Sequence, residues 1–338
     1  MATSGLTRVK LIAGRSNPEL SELISSKLGI PLTKVKISDF GNTEIGVEIN
    51  ESIRGFHVFI IQTGGSYQGR SINDHLQELY GLIQACKLSS AKSVNLIMPC
   101  YAYARSDKKD KPRTPINASC QALIYQSLGI DRIVSMDLHA GQIQGMLPTI
   151  PFDNLYGKKL HIDNLKNTVF KGLTDDQIKN QFVLAAPDVG AAKMIESYAK
   201  LLGIKHVLMH KHRNYDVAST VLNTVLIGED NAVLDKTVII IDDIFDSFGT
   251  INSATDELVK HGAKSVMAIA THGIFSGQAF DKINNNKYIE RVIVTNTLPQ
   301  LENAKKSAKL QIVDTSDLFV EVIKRLRTGT GGISELFM

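Results

Sequence analysis

Short, nearly uninterrupted apolar runs recur along the whole of this 338-residue chain, and they restrict its fold more than any other feature. "VKLIAGR", "HVFIIQT", "SVNLIMPCYAY", "RIVSMDLHAG", "FVLAAPDVG", "KHVLMHKHR", "VIIID", "AKSVMAIATHGIF", "RVIVTNTLP" and "KLQIVDTS" read as strands. A strand apolar at nearly every position is covered on both faces, as in parallel sheets. Between the runs lie segments with apolar residues at helical spacing, among them "INDHLQELYGLIQACKLSSA", "NASCQALIYQSLGI" and "AAKMIESYAKLLG". In "NPELSELISSKLGI" Asn17 supplies a helix cap and Pro18 takes the first helical position.

Alternating strands and helices define an α/β chain. Its length exceeds one ordinary core, and two similar halves meet near "PTIPFDNLYG", residues 148–157. The pattern predicts two doubly wound parallel-sheet domains with a cleft between them. They span 1–157 and 158–338, with the last ~10 residues packing on the first domain. The stretch between "HKHRNYDVAST" and "VLDKT" has few breakers and weak periodicity, and reads as a mobile loop near residue 212.

Hydrophobic residues make up 43% and charged residues 21%, the balance of a globular protein with a polar surface. A net charge of +4, with no basic tract beyond "SDKKDKPR", gives no reason to expect a nucleic-acid partner. No run approaches the roughly 18 apolar residues of a membrane span, and "MATSGLTRVKLIAGR" lacks a signal-peptide pattern. Cys86, Cys100 and Cys120, each in an apolar context, odd in number and without C-x-x-C spacing, read as reduced core thiols. A soluble cytoplasmic protein is expected.

One strand ends unusually. "VIIIDDIFDSFGT", residues 238–250, runs from apolar strand into two adjacent carboxylates, then a third acid and a Gly-Thr pair, before the helix "INSATDELVKHGA". Open α/β sheets bind ligands at this end of their strands. Asp246, Ser247, Phe248, Gly249 and Thr250 stand where the N–H groups of a turn and a helix start converge on a phosphate, with hydroxyls from Ser247 and Thr250. Asp242 and Asp243 repel a phosphate but suit hydroxyl donors such as a ribose diol, or a metal ion. A sugar phosphate satisfies both parts of the loop. The plainer reading, a helix cap at Asp246 or Ser247 behind a solvated acidic turn, fits a lone acid better than a double Asp after an apolar strand.

This loop resembles the fingerprint of the phosphoribosyl-diphosphate (PRPP) binding fold, shared by phosphoribosyltransferases and PRPP synthetases. Other segments separate the two. "RSDKKDK" (105–111), "VSMDLHAGQIQG" (134–145), "APDVGAAK", "HKHR", "THGIFSG" and "VTNTLPQ" resemble synthetase elements in order and spacing. "DFGNTE" (39–44) is similar to their adenine-reaching segment, and "GISELF" to their chain end. Phosphoribosyltransferases lack the D-L-H and K-K-D-K elements. From about residue 8 to residue 337 the chain resembles the ribose-phosphate diphosphokinase (PRPP synthetase) family.

The resemblance implies transfer of the β,γ-diphosphoryl group of Mg-ATP to O1 of ribose 5-phosphate, giving PRPP and AMP, with Mg²⁺ as cofactor. Such a reaction depends on positioning and charge neutralisation. The resemblance also implies that Phe40 stacks on adenine while Asn42 and Glu44 hydrogen-bond to it, from a neighbouring subunit of a homo-oligomer, a hexamer built of dimers. Arg105, Ser106, Asp107, Lys108, Lys109 and Asp110 would line ATP, and Asp137, His139, Asp153 and Asp188 would hold metal. Lys211 and Arg213, mobile-loop cations, would act with His139 on the transferring group. Asp242 and Asp243 would take the ribose hydroxyls and residues 246–250 the 5-phosphate. Ser52, Arg54, Ser90 and Arg113 would form a site for inorganic phosphate as activator.

Several positions depart from the family pattern. Ser106 stands where Gln is usual, Ser247 where Thr is usual, and Phe245 and Phe248 replace small residues. A ring at 248 has to point away from a phosphate. "GMLPTIPFD" and "TGGSYQGRSIND" (63–74) are longer than their counterparts. These departures keep open a second reading, a non-catalytic paralogue that binds active synthetase subunits.

Overall fold

The apolar runs become shielded strands: Val58, Phe59, Ile60 and Ile61 are each at most 1% exposed, and Val94, Leu96 and Ile97 are wholly buried. The structure, a computed structural model, describes residues 6–213, 221–229 and 231–337; at residues 189, 210–213 and 221–225 it describes the backbone alone. Contacts group the chain into two compact units. One holds the chain up to Gly157 with Asn296–Pro299 and Asp314 onward, the other Lys158–Thr295 with Gln300–Val313.

The first unit runs β1 (Val9–Ala13), α1 (Pro18–Leu28), β2 (Val35–Asp39), β3 (Ile45–Ile49), β4 (His57–Ile61), α2 (Ile72–Leu88), β5 (Ser93–Ile97), α3 (Asn117–Ser127), β6 (Arg132–Met136) and β7 (Phe152–Leu155). Its five-stranded sheet has the order β1-β4-β5-β6-β7, every pair parallel. Strands β2 and β3 form a separate antiparallel hairpin. Because side chains alternate along a strand, Ile12, Val58, Ile60 and Leu96 share one core with Leu79, Leu82, Ala122 and Tyr125 of α2 and α3. Leu11, Phe59, Ile61 and Ile97 are buried on the other face. Asn17 caps α1 by accepting from Leu20 N, with Pro18 beside it, and Gly29 in the left-handed region closes the helix. Helix α2 opens on a capping box between Ser71 and Asp74.

The second unit runs α4 (Lys158–Thr168), α5 (Asp175–Gln181), β8 (Phe182–Ala186), α6 (Ala192–Leu202), β9 (His206–Arg213), β10 (Val221–Ile227), β11 (Thr237–Phe245), α7 (Gly249–Lys260), β12 (Ser265–Gly273), α8 (Ala279–Asn285), β13 (Ile289–Thr295), α9 (Leu301–Ala304) and β14 (Leu310–Val313). Its sheet has the order β10-β9-β8-β11-β12-β13-β14. All pairs are parallel except β10 against β9. Two cores cover the faces, one with Val183, Val238 and Ile240, the other with Leu184, Ile239 and Ile241.

After β14 the chain re-enters the first unit at Asp314, earlier than the final ~10 residues expected from the sequence. There α10 (Ser316–Thr328) packs on α1, and Lys27 bonds Asp314 at 2.9 Å. Residue 212, expected in a mobile loop, lies in β9, and the weakly periodic stretch after it supplies the edge strand β10. Residues 214–220 lie outside the described residues. Among the described residues no helix is long and apolar enough to cross a membrane.

Candidate functional site

In the second sheet the chain leaves β8 toward β9 but leaves β11 toward β12, so the strand order reverses between β8 and β11. Strand β8 pairs with β11 only from Phe182–Thr237 to Ala185–Ile240, whereas β11 stays paired to β12 as far as Phe245 and Gly273. Beyond Ile240 the β8 side of β11 is therefore open, at the kind of switch point where α/β sheets hold ligands. Asp242 and Asp243 lie on that open extension, still within the strand. Asp188 follows β8, its Oδ1 accepting from Ala191 N at 3.2 Å.

Asp242 Oδ1 accepts from Asp243 N at 3.0 Å. Burial, then the charge of Asp243, push the Asp242 carboxyl up to about 8, with Asp188 adding a smaller push. Two carboxyls side by side, one of them desolvated, suit hydroxyl donors or a cation.

Phe248 sits at the start of α7 with φ 58°, in the left-handed region. That backbone sends its ring inward: it is 3% exposed, in the same core as Phe245, Ile251 and Phe275. The ring at 248 thus points away from the turn, as a phosphate there would require, and leaves only the Phe248 backbone at the loop. Ser247, Gly249 and Thr250 remain at the turn, and Ser276 Oγ donates to Asp246 Oδ1. Lys282 of α8 was not singled out from the sequence; its Nζ donates to Ser247 O at 2.8 Å, bringing a cation to the turn. One lysine in "AFDKINN" gives no motif, so only the placement of α8 reveals it.

In the first unit the structure joins two of the predicted elements. Asp107, 9% exposed, accepts from Gln142 Nε2 at 2.8 Å, tying the loop after β5 to the turn after β6. Ser106 is a helix anchor: its Oγ accepts from Asn117 N at 3.1 Å and its backbone O from Ala118 N at 3.1 Å, where Ile116 offers no side-chain cap. Arg105, Lys108, Lys109 and Asp110 are exposed, with Lys108 and Asp110 3.9 Å apart. Asp137, with φ 39°, accepts from Gly157 N at 2.9 Å at the end of β6, and His139 is exposed just after it.

Asp153 is not brought to this end. It pairs in register with Val134, roughly 10 Å of strand before Asp137. Its carboxylate is engaged by Arg132 at the start of β6. As a metal ligand beside Asp137 it is ruled out by register. Among the described residues no cluster of three or more His, Cys, Asp or Glu side chains stands ready for a metal. Lys211 and Arg213 fall in β9, but their side chains lie outside the described residues.

Phe40, Asn42 and Glu44 share the tip of the β2–β3 hairpin. Phe40 N donates to Glu44 O at 2.8 Å, Glu44 N to Asn42 Oδ1 at 3.2 Å, and Phe40 is 56% exposed. Of the predicted phosphate site, the turns of Ser52–Arg54 and Ser90 are joined by Gly55 N donating to Ser90 O at 2.9 Å. Arg113 occupies a separate turn.

Two family models match the chain: the N-terminal domain of ribose phosphate pyrophosphokinase over residues 9–129, and the phosphoribosyl synthetase-associated domain over residues 223–338. Its fold is of the phosphoribosyltransferase-like α/β type, with parallel sheets in both units. The crystal structure of phosphoribosylpyrophosphate synthetase from Mycobacterium smegmatis matches with a TM-score of 0.84 at 34% identity, covering 95% of this chain and 99% of that one. Ribose-phosphate pyrophosphokinase 4 of Saccharomyces cerevisiae is 42% identical over 335 residues, 98% of this chain and 95% of that protein. The chain belongs to the ribose-phosphate pyrophosphokinase family.

Proposed function

We propose that the chain transfers the β,γ-diphosphoryl group of Mg-ATP to O1 of ribose 5-phosphate, producing PRPP and AMP. The observation that carries this reading is the end of β11, where a half-buried acidic pair precedes a helix-opening turn whose bulky residue is folded into the core. Asp242 and Asp243 accept hydrogen bonds from the ribose diol. The 246–250 turn, with Lys282 beside it, takes the 5-phosphate through backbone donors. Ribose held this way presents O1, which forms a bond to the β-phosphorus. The bond from that phosphorus to the α-phosphate oxygen breaks, AMP leaves with the electron pair, and the O1 proton passes to solvent.

Mg²⁺ suits the oxygen donors here. Bound with the nucleotide, it would offset the charge of the transferring group. Asp137, His139 and Asp188 are the side chains proposed, from the sequence pattern, to hold it. Lys211 and Arg213 are proposed, from the sequence pattern, to add positive charge. A homo-oligomer in which a neighbour supplies Phe40, Asn42 and Glu44, activation by inorganic phosphate and a cytoplasmic setting belong to the same proposal. The reading as a non-catalytic paralogue drew on several departures from the family pattern, and the buried ring answers the one at Phe248.

The test is AMP formation by the purified chain. AMP and PRPP appearing only when Mg-ATP and ribose 5-phosphate are both present is the expected result. No AMP from folded protein, with or without inorganic phosphate, would overturn it.

A further inference from the structure

We infer that Arg15 and Arg70 are positioning residues that clamp Asp39 and so hold the β2–β3 hairpin tip in the shape that receives a purine base. The inference rests on the proposal that Phe40, Asn42 and Glu44 meet the adenine of ATP. Asp39 is the last residue of β2 and directly precedes Phe40. Arg15 grips it with a two-pronged fork, Nη1 to Oδ2 at 2.8 Å and Nη2 to Oδ1 at 2.9 Å, while Arg70 Nη2 also donates to Oδ2. Parallel bonds from a planar guanidinium fix the orientation of a carboxylate as well as its distance. Hydrogen bonds from Arg15 and then Arg70 hold the Asp39 carboxyl well below the usual range.

Both arginines are themselves anchored. Arg15 N and Nε donate to Glu78 at 2.7 and 2.6 Å, and Glu78, wholly buried, also accepts from Gln62 Nε2 at 3.0 Å. The hairpin, which shares no strand pairing with the main sheet, is thereby tied to β1, β4 and α2. Arg70 comes from the long 63–74 segment. There Tyr67 and Arg70 exchange backbone hydrogen bonds of 3.1 and 3.0 Å across a Gln68-Gly69 turn with positive φ at both residues, the tight hairpin turn that Gly favours. The capping box at Ser71 follows at once, so hydrogen bonds on both sides of Arg70 place it where it reaches Asp39.

The Asp39 and Arg70 side chains are 44% and 31% exposed. Ion pairs that open to water add little to global stability. The triad is therefore suited to orienting the tip rather than to holding the fold.

The experiment uses the full chain and titrates Mg-α,β-methylene-ATP by calorimetry, alongside the ratio of ATP to GTP consumed in turnover. Arg15→Ala is avoided because it strands the buried Glu78 carboxylate. Arg70→Ala and Asp39→Asn are expected to keep the melting temperature and the KM for ribose 5-phosphate. They should lose roughly tenfold in nucleotide affinity and lower the ATP/GTP ratio, with Arg70→Lys recovering part of both. Phe40→Ala is the control. Weakened nucleotide binding in Phe40→Ala with unchanged binding and base preference in Arg70→Ala overturns the clamp alone. Unchanged binding in Phe40→Ala overturns the adenine-hairpin reading and the clamp with it.

Discussion

The rings of Phe245 and Phe248 meet edge to face, 5.2 Å between centroids, on the core side of the turn joining β11 to α7. Aromatic pairs favour this geometry. Here it turns a residue that threatened the phosphate turn into the packing that shapes it. Removing the ring by Phe248→Ala is expected to destabilise the protein by roughly 3–5 kcal/mol. Residue 248 has φ 58°, which penalises any side chain with a Cβ. Phe248→Gly should consequently be more stable than Phe248→Ala by about 1 kcal/mol, although it removes more atoms. Urea denaturation of the two variants decides the order, and Ala above Gly would contradict the backbone assignment.

Asp242 sets a pH dependence with a definite sign. Its folded pKa is raised, to about 8 from 3.8, so the unfolded chain releases this proton first. The associated stability is fully present below the unfolded value and is lost as pH rises toward the folded one. Asp242→Asn should therefore be more stable than the parent, by a margin that widens from about pH 4 to about pH 8 and then levels off. The same variant should bind ribose 5-phosphate poorly, because one oxygen of the pair becomes an N–H donor. Chemical denaturation at about pH 5 and about pH 8.5 checks the margin; equal margins at both would sink the assignment.

The parallel sheets were legible because their strands are buried on both faces and leave apolar runs. Less legible were β7, only four residues long, and β10, an edge strand paired on one side only, to β9. Hairpin β2–β3 did carry a signal, the alternation of Val35 and Ile37 with Lys36 and Ser38, but it is half-buried throughout and leaves no run. At the site, composition and order pointed to Asp242, Asp243 and the turn after them. That the Phe248 ring must turn away from a phosphate was legible, but not the positive φ by which it does so. Asp153 falls at the wrong end of β7 because of strand register, which order alone does not give. Lys282, Gln142, Arg15 and Arg70 reach their partners across long sequence separations that no local motif encodes.

Ser106 offers a test of a departure from the family pattern. Its hydroxyl and carbonyl take the first two free N–H groups of α3, whose preceding residue Ile116 cannot. Unpaired donors at a helix start are destabilising. Ser106→Ala should lower stability by about 1 kcal/mol, within the range of lost helix caps. Ser106→Thr keeps the hydroxyl and should retain most of it. Thermal melts of the two variants separate a helix anchor from a residue that acts only on nucleotide, for which neither melt would move.

Gly46 lies opposite Ser38 in the hairpin, and the Phe40 ring rests over it. A Cβ built at Gly46 falls 2.8 Å from Phe40 Cε2 and 3.0 Å from Cζ, closer than real side chains approach. The clash is with the end of an exposed side chain, so Gly46→Ala resolves it by swinging the ring away rather than by moving backbone. Stability should change by no more than about 0.5 kcal/mol, as for other surface substitutions. A displaced ring loses its stacking position, and a stacked aromatic pair is worth roughly 0.5–1.5 kcal/mol, which corresponds to a roughly 2- to 10-fold rise in KM for ATP. Ribose 5-phosphate kinetics should not change, since that substrate is assigned to the second unit. A melt and two substrate titrations are sufficient. An ATP KM unaffected by Gly46→Ala in a variant of normal stability would show that the posture of Phe40 does not govern nucleotide binding.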